Sequence, residues 1–354
     1  MDQVSIEFSE LTRSQLPALH LLQNLGYTYL PPREALALRG GRADAVLLES
    51  VLLDWLARNN EIQYHGQRYP FSEANIHTAV QVLKETLSIG LLRTNESIFD
   101  LLSLGKSLPQ SINGNLKSFS LRYIDWEHPE KNVYHVAEEF AVERRGSHET
   151  RRPDLVLFVN GIPFGVIECK SPDLKDPMTQ AISQQIRNQK EDEIPALFQY
   201  AQVLLAVSGN EAKYGTVGTP AKFWSVWKEE SGEFEKAVKA TVDQPLSRSQ
   251  IQTLYDSFPG KHRMEAVNSL NLPRVVTAQD RAIYSLCRPE RLLELAYGFT
   301  LFDAGEKKVA RYQQYFCVKK IMRRIYERDS EGRRSGGVVW HTQGSGKSLT
   351  MVFL

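Results

Sequence analysis

The sequence predicts an α/β protein: a mixed sheet flanked by helices, followed by the start of a phosphate-binding α/β unit. Three observations carry that expectation. Residues 151–172, RRPDLVLFVNGIPFGVIECKSP, hold two almost continuous apolar runs, 155–159 and 162–169, around Asn160-Gly161. Asn-Gly between apolar runs marks a two-residue hairpin, because both central residues of a type I′ turn need positive φ. Runs without polar alternation belong to strands covered on both faces, as in the middle of an α/β sheet. Amphipathic helical stretches stand before and after the hairpin. Near the end, an apolar run enters Gly344-Ser345-Gly346-Lys347-Ser348, and an apolar helix follows.

In chain order, Leu16, Leu19, Leu22 and Leu25 recur at helical spacing, and Gly26 is placed to end that helix. Pro31-Pro32 breaks the chain. A second helix is expected over 43–58, with Leu47, Val51, Leu52 and Trp55 on one face, and a third over 72–88 with Ser72 as N-cap. The pattern then turns to strands over 119–123 and 133–142. His135, Glu138 and Glu139 read as the polar positions of a half-solvated strand. A helix over 177–189 starts at Pro177, with Gln184 or Gln185 facing the hairpin. Strands are expected at 198–207 and at 222–227, the latter with Trp224 and Trp227 in the core, and a loop at 214–216. Residues 229–235 read as an exposed acidic segment, and 259–263 as a basic surface turn. Helices over 291–301 and 309–326, a charged Gly-rich loop over 329–337 and a short strand from 338 complete the chain.

A length of 354 residues suits about two domains. The expected division is one unit over 1–262, a connecting helical segment over 263–308 and the start of a second unit over 309–354. The net charge of +1 decides nothing about nucleic acid, since a local patch is enough. Cys169, Cys287 and Cys317 fit no disulfide or metal spacing, which favours a reducing, cytoplasmic home. No positive n-region opens the chain and no apolar run reaches about 18 residues, so neither a signal peptide nor a membrane span is expected.

The chemistry-bearing residues of the hairpin are Asp154, Glu168 and Lys170. Side chains alternate along a strand, so Glu168 and Lys170 share a face while Cys169 points away. Asp154 opens the first strand opposite the end of the second. Two carboxylates can hold Mg²⁺ through hard oxygens, and the ammonium can orient water and offset charge on a phosphate. The structural alternative is a Glu168–Lys170 ion pair beside an Asp that caps a turn. Pro153-Asp154 with Glu168-Cys169-Lys170 resembles the PD-(D/E)xK nuclease motif, which implies a restriction-endonuclease-like sheet flanked by helices. Such nucleases often take a further carboxylate from the first helix, for which Glu10 is the candidate. An exposed surface glutamate is the ordinary alternative.

The GSGKS run resembles a P-loop and implies the start of a RecA-like domain. In it the backbone cradles phosphates, Lys347 reaches the β/γ-phosphates of ATP and Ser348 offers its hydroxyl to Mg²⁺. His341 stands where the full pattern has Gly, a departure common in superfamily 2 helicases. Gln314, about thirty residues upstream, fits the adenine-reading glutamine of such motors. The chain stops at Leu354 before any further motor motif, so a fragment is expected.

The two motifs together resemble the restriction (R) subunit of type I restriction-modification enzymes. Residues 152–172, Ile194-Pro195-Ala196-Leu197-Phe198, Tyr214-Gly215-Thr216 and residues 341–348 carry the likeness. The resemblance implies Mg²⁺-dependent cleavage of unmodified double-stranded DNA coupled to ATP-driven translocation. It also implies a methyltransferase (modification) subunit and a specificity subunit as partners. The alternatives are a type III or other phage-defence nuclease–helicase, or a translocation module with a structural nuclease fold. The family often has Gln-x-x-x-Tyr on the helix after the nuclease lysine. Here Gln185 is followed by Gln189, so Gln185 is an accessory candidate without its tyrosine.

Overall fold

A computed structural model describes residues 9–85, 89–257, 266–268, 270, 272–334, 336–340 and 346–354. Its centre is a six-stranded sheet whose spatial order follows the chain: β1 (Thr28–Leu30), β2 (Tyr134–Glu138), β3 (Leu155–Val159), β4 (Ile162–Cys169), β5 (Val203–Val207) and β6 (Ala212–Gly215). The β1–β2 and β4–β5 pairs are parallel and the other three antiparallel. The expected hairpin is β3–β4, in the middle, and every residue of both strands is buried.

Its turn has the required geometry, with Asn160 at φ 53° and Gly161 at φ 81°. The turn is buried. Asn160 accepts from the Val133 N–H at 2.8 Å and donates to the Tyr123 carbonyl and the Asn132 side chain. The Leu48 N–H donates to the Gly161 carbonyl at 2.8 Å, and a Cβ on Gly161 would lie 2.5 Å from the Leu48 carbonyl oxygen. Only glycine meets both demands.

A π-helical turn (Leu11–Gln15) leads into α1 (Leu16–Asn24), whose leucines are fully buried, and Gly26 follows at φ 101°. The second helix, α2, spans Glu49–Asn59 and begins later than the apolar spacing implied. The Leu48 N–H is committed to the hairpin turn, so the residues before it run as an irregular connection in which Leu47 is still buried. Next, α3 (Glu73–Lys84) is capped by Ser72, which accepts from the Asn75 N–H. Unanticipated was α4 (Leu91–Leu104), where the buried Asn95 amide donates to the carbonyls of Phe198, Gln199 and Ala201. Those carbonyls are thereby removed from any ladder, and the expected strand over 198–207 shortens to β5 after one helical turn at Pro195–Phe198. The helix after the hairpin, α5 (Pro177–Asn188), lies where expected.

Several strand expectations change. Of residues 119–123, the first three belong to a separate ribbon, Lys106–Ile112 with Asn115–Leu121, and the strand ends there. The expected strand over 133–142 reduces to β2, ended by Glu139 at φ 49°. β2 is covered on both faces, and Glu138 accepts from the buried Tyr29 hydroxyl at 2.8 Å, so its polar residues are not solvated positions. Of the expected loop over 214–216, Tyr214 and Gly215 instead end the edge strand β6, because they pair with β5, and only Thr216 stays outside it. Residues 222–227 make a short 3₁₀ turn and one bridge, Ser225 to Tyr214, with Trp224 and Trp227 buried as expected.

The acidic segment is exposed over 230–233, as expected, but its ends are tied down. Ser231 caps α6 (Gly232–Val242), Glu235 pairs with Arg281 and Glu229 with Arg291. Those arginines belong to α7 (Ala278–Cys287) and α8 (Pro289–Gly298). An unforeseen ribbon, β7 (Thr300–Asp303) and β8 (Glu306–Val309), precedes α9 (Tyr312–Tyr326), which therefore starts three residues late. Residues 338–340 are not a strand: Val338 and Trp340 are over nine-tenths exposed, and among the described residues no strand lies beside them. The short helix α10 (Lys347–Phe353) closes the chain. The basic turn at 259–263, and Gly344 and Ser345 of the GSGKS run, lie outside the described residues.

Candidate active site

Strand alternation and hairpin pairing bring Asp154, Glu168 and Lys170 together. Asp154 stands just before β3, and its Oδ2 accepts the Cys169 N–H at 2.6 Å across the hairpin. Glu168 is the penultimate residue of β4 and is fully buried. Its Oε1 accepts from Lys170 Nζ at 2.8 Å, while its Oε2 is buried with no hydrogen-bond partner. Lys170 also lies 3.8 Å from Asp154 Oδ2 and 4.0 Å from Glu10 Oε1. Glu10 is therefore not an ordinary surface glutamate: the first helical turn delivers it to the end of the hairpin. Gln185 faces the hairpin as expected, but its amide donates to the Val166 and Leu205 carbonyls, bridging β4 and β5.

The electrostatics follow from burial of like charges. Burial, and then the Glu168 charge, raises the Asp154 pKa well above the usual carboxylate range. Burial also raises that of Glu168, with Lys170 working against it. Burial alone would depress the Lys170 pKa, but Glu168, Asp154 and Glu10 outweigh it, and the ammonium form is strongly favoured. Among the described residues, no three acidic, His or Cys groups converge closely enough to hold a metal ion as they stand. The Lys170 ammonium stands among the carboxylates instead. The donor set nevertheless fits a hard divalent cation: carboxylate oxygens that repel one another, including one buried oxygen without a partner.

Sequence reasoning passed over Glu139. Its N–H donates to the Asp154 carbonyl at 3.0 Å, and its side chain accepts from Gln15 at 3.4 Å. Burial, and then the Asp154 charge, pushes its pKa up to about 7. The available signal was a Glu-Glu pair at the end of a strand that has to stop.

At the other motif, Gln314 lies in the first turn of α9. It accepts from the Arg311 N–H at 2.8 Å and donates to the Gly346 carbonyl at 3.1 Å. Gly346 has φ 83°, and a Cβ there would run into the Gln314 amide. A cavity of about 350 Å³ adjoins them, lined by Arg311, Lys307, Tyr214 and Pro220 among others. Lys347 and Ser348 are exposed at the start of α10.

The family described as type I restriction enzyme R protein N terminus matches residues 7–223, which include Glu10, Asp154, Glu168 and Lys170. The chain belongs to this family. The SWI2/SNF2 ATPase family matches residues 313–354, which include Gln314, Gly346, Lys347 and Ser348. The chain is 30% identical over 345 residues to the putative type I restriction enzyme MjaIXP endonuclease subunit of Methanocaldococcus jannaschii, covering 95% of this chain and 30% of that protein. It is 27% identical over 346 residues to the type I restriction enzyme HindI endonuclease subunit of Haemophilus influenzae, covering 95% of this chain and 28% of that one. This member of the type I R protein N-terminal family thus spans under a third of the length of those two relatives. Among its described residues, no helix is long and apolar enough to cross a membrane.

Proposed function

We propose that the chain carries the PD-(D/E)xK nuclease of a type I restriction subunit, over about 1–262, and the start of its superfamily 2 motor, from about 309. In this reading it works in the cytoplasm with a methyltransferase subunit and a specificity subunit, cutting unmodified double-stranded DNA while ATP drives translocation. The observation that supports it best is the convergence of Asp154, Glu168 and Lys170 at the buried end of β3–β4, inside the family-matched segment.

Asp154 and Glu168, with Glu10 beside them, would hold Mg²⁺. Bound there, the cation would polarise the scissile phosphate and lower the pKa of a bound water. The Cys169 N–H holds the Asp154 carboxylate across the hairpin. Lys170 stays protonated at neutral pH and donates to the attacking water or to a phosphate oxygen, offsetting charge as it develops. At the motor end, Gln314 would read adenine, and Gly344, Ser345 and Gly346 would cradle the phosphates of ATP. Lys347 and Ser348 would reach the terminal phosphates and their Mg²⁺.

The test is Asp154→Ala and Glu168→Ala in the full-length subunit, reassembled with its partners. Plasmid cleavage is expected to disappear and DNA-dependent ATP hydrolysis to persist, because the two chemistries use separate residues. Loss of both activities in a folded variant would refute this division.

A further inference from the structure

The loop that leaves β4 grips the turn that carries Glu10. Asp173 Oδ2 accepts from the Ser9 hydroxyl at 2.5 Å, and the Arg13 guanidinium donates to both Asp173 oxygens at 2.9 and 3.0 Å. Ser171, fully buried, donates to the Ser9 hydroxyl at 2.9 Å and accepts from the Asp173 N–H at 3.2 Å. Glu10 thus lies between two residues, Ser9 and Arg13, held by one carboxylate. The held turn continues into the π-helical turn Leu11–Gln15, a wider and rarer winding that recurs at functional sites. From the other side, Gln279 of α7 donates to the Ser14 carbonyl at 2.8 Å and accepts from the Ser14 hydroxyl at 2.7 Å.

Stability is a poor account of this arrangement. The Arg13 side chain is 57% exposed and that of Asp173 26%, and ion pairs so open to water add little to folding. What the contacts do fix is position. Asp173 stands three residues after Lys170 on the same chain segment, so gripping Ser9 and Arg13 sets the Glu10 carboxylate against Lys170.

We propose that Asp173 is a positioning residue, which with Ser9, Arg13 and Ser171 holds Glu10 beside Lys170, within reach of a cation bound by Asp154 and Glu168. The inference rests on the nuclease reading above. It assigns the Ser-Pro-Asp loop to the site, although none of its side chains faces the scissile phosphate in this scheme.

The test is calorimetric Ca²⁺ titration of the 354-residue chain. Groups that orient metal ligands cost about 10-fold or more in affinity when removed. Asp173→Ala is expected to weaken Ca²⁺ binding by about that factor, and Glu10→Gln by a similar one. The double variant is expected to bind no more weakly than the weaker single one, because both changes remove the same contact. Independent losses that multiply would overturn the proposal. So would unchanged affinity in Asp173→Ala when Asp154→Ala has abolished binding, an outcome that leaves the nuclease reading intact. Retained binding in Asp154→Ala would overturn the cation site and the clamp together. Should Asp173→Ala fail to fold, Arg13→Ala decides: a loss of up to about five-fold at unchanged melting temperature supports the clamp, and unchanged affinity overturns it.

Discussion

Asp154, Glu168 and Lys170 sit at one end of the central hairpin of a six-stranded sheet, whereas Lys347 and Ser348 open a short helix with solvent around them. Both groups belong to short motifs legible in the sequence, yet their surroundings differ. The Glu168 side chain is fully buried, and its neighbours come from β3, β4 and the first helical turn. Around the second motif, Trp340 is 91% exposed, and the upstream helix reaches it through hydrogen bonds such as those from Gln314 to Gly346 and from Arg324 to Gly336. A motif becomes a preorganised site only where segments distant in sequence close around it, because burial gives a charge its shifted pKa and a side chain its single rotamer.

The largest effect expected at the covered end concerns Lys170. In the reassembled enzyme, Lys170→Met should lower cleavage by roughly 10²–10³, the cost of deleting one preorganised electrostatic contact. Calorimetry should show Ca²⁺ binding retained, and Lys170→Arg should not restore cleavage, since a planar fork does not replace a compact ammonium. Near-normal cleavage by Lys170→Met would reduce the lysine to an ion-pair partner of Glu168.

The hairpin turn beneath the site comes next. Gly161→Ala should destabilise the chain by about 3 kcal/mol in urea melts, combining a positive φ with a clash against the Leu48 backbone. A loss below about 1 kcal/mol would mean that α2 can move away from the turn.

Smaller again is the pH response of β2. Burial lowers the His135 pKa to about 4, and its Nδ1 is buried without a partner. The fold keeps His135 neutral, so the unfolded chain protonates first as pH falls. Its contribution is full above about pH 6.5 and is lost toward pH 4, amounting to about 2 kcal/mol by pH 5. Denaturant melts of His135→Gln should show a correspondingly shallower decline between pH 7 and 5. An identical decline would place the histidine within reach of water.

The smallest effect belongs to the open end. Trp340→Ser should change the stability of this chain by less than about 0.5 kcal/mol, because its ring is almost wholly solvated. A larger loss in a thermal melt would show packing around 338–340 and narrow the contrast between the two ends.

Local signals carried the reading where geometry is set by neighbours in sequence. Asn160-Gly161 fixed the hairpin, alternation put Glu168 and Lys170 on one face, and Ser72 capped its helix. The tertiary structure decided what depends on partners far along the chain. Leu48 gave its N–H to Gly161 and delayed α2. Asn95 drew off the carbonyls that would have lengthened β5, and pairing with β5 put Tyr214 and Gly215 of the expected loop into an edge strand. Glu139 met Asp154 because β2 pairs with β3, and Glu10 met Lys170 through a grip on Asp173 some 160 residues away. The sequence by itself determined which residues could do this chemistry, through side-chain type and strand period. Which of them share a site was settled by backbone hydrogen bonds and burial between distant segments, which no local pattern encodes.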